Sequence, residues 1–173
     1  MIIRPFRGKT PKIAESALIA DNVYIIGDVE IGENCSIWPG VVIRGDTSSV
    51  RVGSNCHIEE NSVLHTGTIL EDYVMIGHGC MIEGFVGTRS MISNTASLMP
   101  RSRVGRHCTI GASATVLGGQ EIPDYTFAVG VPAKKQGTID PDNVDDRHYS
   151  VYYTRYMDEL VAEYKKEGLW SRG

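Results

Sequence analysis

The chain has 173 residues, the length of one domain with a substantial buried core. Its net charge of -4 argues against nucleic acid as a partner, because phosphate binding requires a basic surface. No apolar run reaches the roughly eighteen residues of a membrane helix. The N-terminal sequence also lacks the apolar core of a signal peptide. We therefore expect a cytoplasmic protein with no membrane span.

Aliphatic residues recur at every sixth position from Ile19 to Ile122, in three blocks separated by two shifts of phase. The blocks are Ile19, Ile25, Ile31, Ile37 and Ile43, then Val52, Ile58, Leu64, Leu70, Ile76 and Ile82, then Val86, Ile92, Leu98, Val104, Ile110, Val116 and Ile122. Neither a helical period nor simple strand alternation produces this spacing. One short strand and one turn per hexad does, and stacked coils of such units bury a continuous aliphatic column. Residues 1–135 are therefore predicted to form an all-β solenoid of about six or seven coils.

The sequence changes character after the solenoid. Residues 136–146 are polar and rich in turn-forming residues, which predicts a linker. In 147–173, aromatic and aliphatic residues recur at intervals of three and four, as in Tyr149, Tyr153, Met157 and Leu160, so an α-helix is expected there. Its apolar stripe would pack on the prism or on a neighbouring subunit.

The four cysteines, Cys35, Cys56, Cys80 and Cys108, form no C-x-x-C pair. A thiolate zinc site is therefore not expected, and buried thiols are the favoured interpretation. Cys80 lies two residues after His78, so a soft metal ligand is the alternative for that thiol.

Two pairs of polar residues lie eighteen positions apart, which is three hexads. His65 and Glu83 each follow a buried aliphatic residue directly, and Glu60 and His78 each come two residues after one. If three hexads make one coil, each pair stacks on neighbouring rungs at roughly the 4.8 Å spacing of strands. Two side chains at that separation can share one metal ion.

Arg44, Gly45 and Asp46 precede the first shift of phase, and the arginine and aspartate can pair locally or across an interface. The chain resembles the γ-class carbonic anhydrases in three features taken together: this R-G-D, the histidine of V-L-H and the histidine of I-G-H. The similarity extends from Pro11 through the C-terminal helix. It implies a homotrimer of left-handed parallel β-helices with metal ions, typically zinc, at the subunit interfaces.

The resemblance assigns roles to individual residues. His65 matches the first metal histidine, and His78 matches the second, which comes from the neighbouring subunit. Glu83 occupies the position of the third histidine. Arg44 and Asp46 match the interface pair, and Glu59 and Glu60 stand where the family has glutamine and aspartate; Glu59, Glu60 and Arg44 are thus the candidate catalytic residues.

The substitution at Glu83 changes the expected chemistry. Zinc accepts two histidines and a carboxylate, and the same donor set suits iron(II). A glutamate ligand cancels one positive charge, and Glu59 and Glu60 add negative charge nearby. These charges raise the pKa of bound water and repel bicarbonate. The resemblance together with Glu83 therefore favours a metalloprotein whose hydration of CO2 is weak or absent over an efficient carbonic anhydrase, a lyase.

Two other functions fit the hexads. The first is an acyl- or acetyl-CoA transferase of the wider hexapeptide group, or a thioesterase at the same metal site. The second is a non-catalytic trimeric scaffold. Stabilisation by acetyl-CoA would favour the transferase, and a metal-free trimer would favour the scaffold.

Overall fold

The computed structural model describes residues 1–140 and 149–168. The described chain forms a left-handed parallel β-helix of about seven turns and one C-terminal α-helix, as predicted from the hexads. Each coil contributes one strand to each of three faces. Strands β4 (Tyr24–Ile31) and β6 (Val42–Val52) are long enough to contribute to two faces each.

The strands are grouped here by face. The first face holds β1 (Ile2–Arg4), the first halves of β4 and β6, β8 (Val63–Leu64), β11 (Met81–Ile82), β14 (Ser97–Leu98) and β17 (Thr115–Val116). The second face holds β2 (Lys12–Ile13), the second halves of β4 and β6, β9 (Ile69–Leu70), β12 (Phe85–Val86), β15 (Arg103–Val104) and β18 (Glu121–Ile122). The third face holds β3 (Leu18–Ile19), β5 (Ser36–Ile37), β7 (His57–Ile58), β10 (Met75–Ile76), β13 (Met91–Ile92), β16 (Thr109–Ile110), β19 (Thr126–Val129) and β20 (Lys134–Thr138).

The residues at the hexad positions form the core. Most are at most 2% exposed: Ile25, Ile37, Ile43, Ile58, Leu64, Leu70, Ile76, Ile82, Val86, Ile92, Leu98, Val104, Ile110 and Val116. Each such side chain contributes roughly 1.5–3 kcal/mol relative to an exposed one. This column holds the coils in register, so that polar residues at the edges between faces also stack from coil to coil.

The two shifts of phase are changes in coil length. Ile58 pairs with Ile76, eighteen residues on, whereas Ile37 pairs with Ile58 and Ile76 pairs with Ile92. The longer interval includes the segment after Ile43, and the shorter one includes the segment after Ile82. Both irregular segments lie at the edge where the chain passes from the first face to the second.

Two glycines let β4 and β6 turn this edge together. Gly27 has a φ of 82°, and a Cβ on Gly45 would lie 2.3 Å from the carbonyl oxygen of Asp28. No side chain fits there, because the clash would be with backbone atoms. Gly45 of the R-G-D sequence therefore permits the close contact of two strands, and Arg44 and Asp46 flank it.

The C-terminal end of the solenoid is closed by β20, which runs antiparallel to β19. This strand reaches Thr138, so the predicted linker at 136–146 begins too early by at least three residues. The six-residue pattern does not predict this reversal of chain direction, because β20 lies outside the repeating coils. The remainder of that linker, 141–146, and the start of the predicted helix lie outside the described residues.

Helix α1 (Tyr149–Lys166) packs on the third face. Met157 and Val161 are buried in one cluster with Leu18, Trp38 and Met75, and Trp38 makes an edge-to-face contact with Tyr164. Within the single chain, α1 packs on the chain's own prism. No helix in the described part of the chain is both long and apolar enough to span a membrane.

Candidate metal centre

His65 and Glu83 meet at the edge between the first and second faces. His65 follows β8, Glu83 follows β11 one coil later, and these strands pair in register. Nδ1 of His65 lies 3.2 Å from Oε1 of Glu83, and both side chains are about one-fifth exposed. The stacking predicted from the eighteen-residue interval is therefore present within one chain.

A chain of polar contacts orients the imidazole of His65. Asp46 Oδ1 lies 3.1 Å from Nε2 of His65, and Asp46 Oδ2 accepts hydrogen bonds from Nε and Nη2 of Arg44 at 3.1 and 2.8 Å. The guanidinium of Arg44 lowers the pKa of Asp46, which keeps that carboxylate ionised. Arg44 and Asp46 thus pair locally, within one chain.

Two threonines around His65 were not identified from the sequence. Thr47 Oγ1 lies 3.3 Å from Nε2 of His65, and Thr66 Oγ1 lies 2.9 Å from Nδ1. Thr47 belongs to the irregular segment of β6, whose path the hexad spacing does not define. The only sequence signal for Thr66 is its position next to His65.

His78 lies at the opposite edge of the first face, between β10 on the third face and β11. Its Nδ1 is 2.8 Å from Oε2 of Glu60, as the second eighteen-residue interval predicts. Its Nε2 is 3.1 Å from Oε2 of Glu59. Glu59 is buried, and desolvation raises the pKa of its carboxyl group. The candidate catalytic glutamates therefore surround His78, whereas Arg44 lies at the other edge.

Both imidazoles lie between two carboxylates. A neutral imidazole has only one N–H, so it can donate to one carboxylate and must present a lone pair to the other. The lone pair and the second carboxylate repel each other unless a proton or a metal cation lies between them. In metal centres the non-coordinating nitrogen of a histidine donates to a carboxylate. The positions of Asp46 beside Nε2 of His65 and of Glu60 beside Nδ1 of His78 allow that arrangement.

The donors suit zinc or iron(II), but they are divided between two edges. Nitrogen and oxygen ligands of tetrahedral zinc, at about 2.0–2.1 Å, lie about 3.3 Å from each other. His65 Nδ1 and Glu83 Oε1, 3.2 Å apart, have that separation. Among residues 1–140 and 149–168 of one chain, no three histidine, cysteine or acidic side chains gather into a metal-binding group.

The contacts of Cys80 are those of a buried core residue. Its thiol donates to the carbonyl oxygen of Ser93 at 3.2 Å, and burial raises its pKa to about 11. A thiol with that pKa stays protonated near neutral pH, whereas a metal ligand must be a thiolate. Cys35, Cys56 and Cys108 are buried as well.

Comparisons with known proteins identify the family of the chain. The family described as "Bacterial transferase hexapeptide (six repeats)" matches residues 10–45 and 49–84. A carbonic anhydrase of Geobacillus kaustophilus is 37% identical over 96% of this chain and 89% of that protein. A probable carbonic anhydrase of Methanocaldococcus jannaschii is 35% identical over 88% and 99% of the two chains.

A solved structure and a further relative are also similar to this chain over nearly its whole length. A hexapeptide transferase family protein from Anaplasma phagocytophilum has a TM-score of 0.88 and 30% identity, covering 94% of this chain and 98% of that one. The Escherichia coli protein YrdA is 30% identical over 94% of this chain and 95% of its own length. The hexad solenoid and the sequence identity over nearly its whole length lead to one assignment: the chain belongs to the γ-class carbonic anhydrase-like family of hexapeptide-repeat proteins.

Proposed function

We propose that this protein is a homotrimeric metalloprotein of the γ-carbonic anhydrase type, with zinc or iron(II) at each subunit interface. His65 and Glu83 of one subunit and His78 of its neighbour would hold the ion. The supporting observation is that both imidazoles face two carboxylates, at opposite edges of the same face. When the first faces of three chains surround one axis, the His65 edge of each chain meets the His78 edge of the next.

The outer surface of the first face supports this association. Met81 is 39% exposed, and Val42 and Val63 are half-buried in the single chain. These apolar side chains lie between the two half-sites, on β6, β8 and β11. Covering them removes apolar surface from water, which favours association in the orientation that joins the half-sites.

The residues of this chain prepare the site for binding the ion. Asp46 holds the Nε2 proton of His65 and leaves Nδ1 directed towards Glu83. Glu60 holds the Nδ1 proton of His78 and leaves Nε2 available. Glu59, buried beside that nitrogen, is the proton acceptor in reach of the reaction centre. A bound zinc or iron(II) ion supplies Lewis acidity and lowers the pKa of water.

The same residues limit the rate of CO2 hydration. Glu83 replaces a neutral donor by a negative one, which reduces the net charge of the centre and its effect on the pKa of water. Glu59, Glu60 and Glu83 also repel bicarbonate. We infer that hydration of CO2 is slow compared with a centre of three histidines.

Metal analysis tests the proposal. Protein purified without chelator should contain about one ion per subunit by elemental mass spectrometry, and His78→Ala should lose it while still folding. His107→Ala is the matched control, because His107 stacks on Tyr125 at a turn away from both half-sites. A wild-type protein that takes up neither zinc nor iron(II), or a His78→Ala variant with undiminished metal, would refute the shared site.

Acyl transfer from CoA is the second candidate function. The match of residues 10–45 and 49–84 to the bacterial transferase hexapeptide family favours it. Acetyl-CoA should then raise the melting temperature of the metal-free protein as well as that of the metal-loaded protein. An unchanged melting temperature at saturating acetyl-CoA would exclude it.

A further inference from the structure

The edge that carries His65 and Glu83 is indented at Glu83. Three residues, 83–85, connect the hexad positions Ile82 and Val86, whereas five connect them in the coils above and below, at 65–69 and 99–103. The short coil leaves a cleft of 460 Å³ between its two longer neighbours. Glu83 lines this cleft, so the cleft opens directly beside the candidate metal centre.

Two arginines give the cleft a positive wall. Arg101 and Arg103 both line it, and neither forms an ion pair with a described residue. The guanidinium of Arg103 lies over the ring of Phe85, 4.1 Å from its centroid, which fixes its position. By contrast, Arg44, Arg51 and Arg106 are each paired with a carboxylate.

One polar group beneath the cleft is also without a partner in the described residues. Ser102 is 1% exposed, and its hydroxyl has no hydrogen-bond partner in the described residues. A Cβ on Gly84 would lie 2.2 Å from this hydroxyl, which therefore sits directly against the shortened coil. Buried hydroxyls are normally hydrogen-bonded, and this one lies without a protein partner directly beneath the cleft.

We propose that this cleft binds the oxyanion, carboxylate or phosphate, of an organic substrate larger than bicarbonate. A guanidinium fork matches both kinds of oxyanion, and the volume of the cleft is typical of sites for small organic ligands. Glu83 repels the anion at one end while Arg101 and Arg103 attract it at the other. The anionic group therefore lies at the arginines, and the uncharged part of the molecule extends towards the metal centre. That this ligand is a substrate rests on the proposed function, whereas its binding does not.

Calorimetric titration with butyrate, glycerol phosphate and bicarbonate tests this assignment. Arg101→Asn is the main variant, because Arg101 has a φ of 65° and asparagine adopts that conformation readily. Loss of a charged hydrogen bond should weaken binding by about tenfold or more. Arg89→Asn is the matched control: Arg89 has a φ of 55° in a turn on another edge, where it stacks on Tyr73. The affinity of the Arg89→Asn variant for the anion should stay within about twofold of the wild-type value.

The titrations distinguish the possible outcomes. Dependence on Arg101 with butyrate or with glycerol phosphate supports the proposal and identifies the anion. His78→Ala should retain this binding even if it loses metal, which separates the cleft from the metal centre. Binding that is lost in His78→Ala and kept in Arg101→Asn means that the anion binds the ion itself, and overturns the proposal. Binding of bicarbonate alone, or of none of the three anions, overturns it too.

Discussion

Replacing Asp46 by asparagine tests whether the contact between Asp46 and His65 raises the affinity of His65 for a metal ion. Asp46 Oδ1 lies 3.1 Å from Nε2 of His65, and Oδ2 accepts two hydrogen bonds from Arg44. Asparagine keeps the shape but removes the charge, and its amide presents a donor to one of these partners. The Nε2 proton of His65 then loses its acceptor, and the tautomer that leaves Nδ1 free is no longer favoured.

The expected effect can be estimated from these contacts. A hydrogen bond to a charged group contributes about 1.5–3 kcal/mol. The side chains of His65 and Asp46 are only 19% and 18% exposed, so solvent weakens the bond little. Loss of the carboxylate that hydrogen-bonds to a metal-binding histidine typically reduces metal affinity by about 10–100-fold, or roughly 1.4–2.7 kcal/mol. We therefore expect zinc affinity to fall within that range in Asp46→Asn.

Competition with a chromophoric chelator measures this affinity directly. Asp124→Asn is the matched control, because Asp124 also accepts from an arginine, Arg106, at 2.9 Å, but lies away from both histidines. Circular dichroism checks that both variants fold. An affinity for Asp46→Asn within about twofold of the wild type, or an equal loss in Asp124→Asn, would refute the role of Asp46.

Three further changes have distinct expected results. Glu83→His should tighten zinc binding and raise CO2 hydration in a stopped-flow assay, because a neutral donor restores the charge of the centre. Gly45→Ala should lower the free energy of unfolding by about 1–3 kcal/mol or more, since its Cβ would lie 2.3 Å from Asp28 O; Gly137→Ala, with no atom within 4 Å of the added carbon, should not. Asp28→Asn should lower the melting temperature at pH 7, and the difference from the wild type should shrink as the pH falls below the unfolded pKa of about 3.9. Arg51 lowers the pKa of Asp28 in the folded protein. The contribution of this ion pair to stability is therefore present above the unfolded pKa of Asp28 and is lost as pH falls through its folded pKa.

Each of these has a contrary outcome. Unchanged zinc affinity and CO2 hydration in Glu83→His would mean that residue 83 does not face the ion. Equal melting temperatures for Gly45→Ala and Gly137→Ala would contradict the backbone contact between β4 and β6. A difference between Asp28→Asn and the wild type that does not shrink as the pH falls below about 3.9 would show that the ion pair with Arg51 is not its cause.

The column of aliphatic residues was predictable because a six-residue period is produced by few structures other than this solenoid. The same period predicts the contacts of His65 with Glu83 and of His78 with Glu60, since it defines which residues share an edge. The roles of these residues as metal ligands stay a prediction.

Other contacts depend on features that the period does not define. Asp46 reaches His65 through the irregular segment of β6, whose path follows from the close approach at Gly45. Glu59 contacts the second nitrogen of His78 because the turn after β7 directs neighbouring glutamates to one ring. The cleft at Glu83 results from the missing residues of one coil, which the sequence displays only as a shift of phase.

The position of the two histidines at opposite edges of one face has a consequence for how the proposed protein would retain its metal. A lone chain offers two proposed donors at one edge and a single histidine at the other, so chain association would complete the proposed site. Association and metal binding are then linked equilibria, and each stabilises the other by the same free energy. Dilution alone would release the ion, without a chelator or a change in pH. Metal content would therefore follow the concentration of the protein itself.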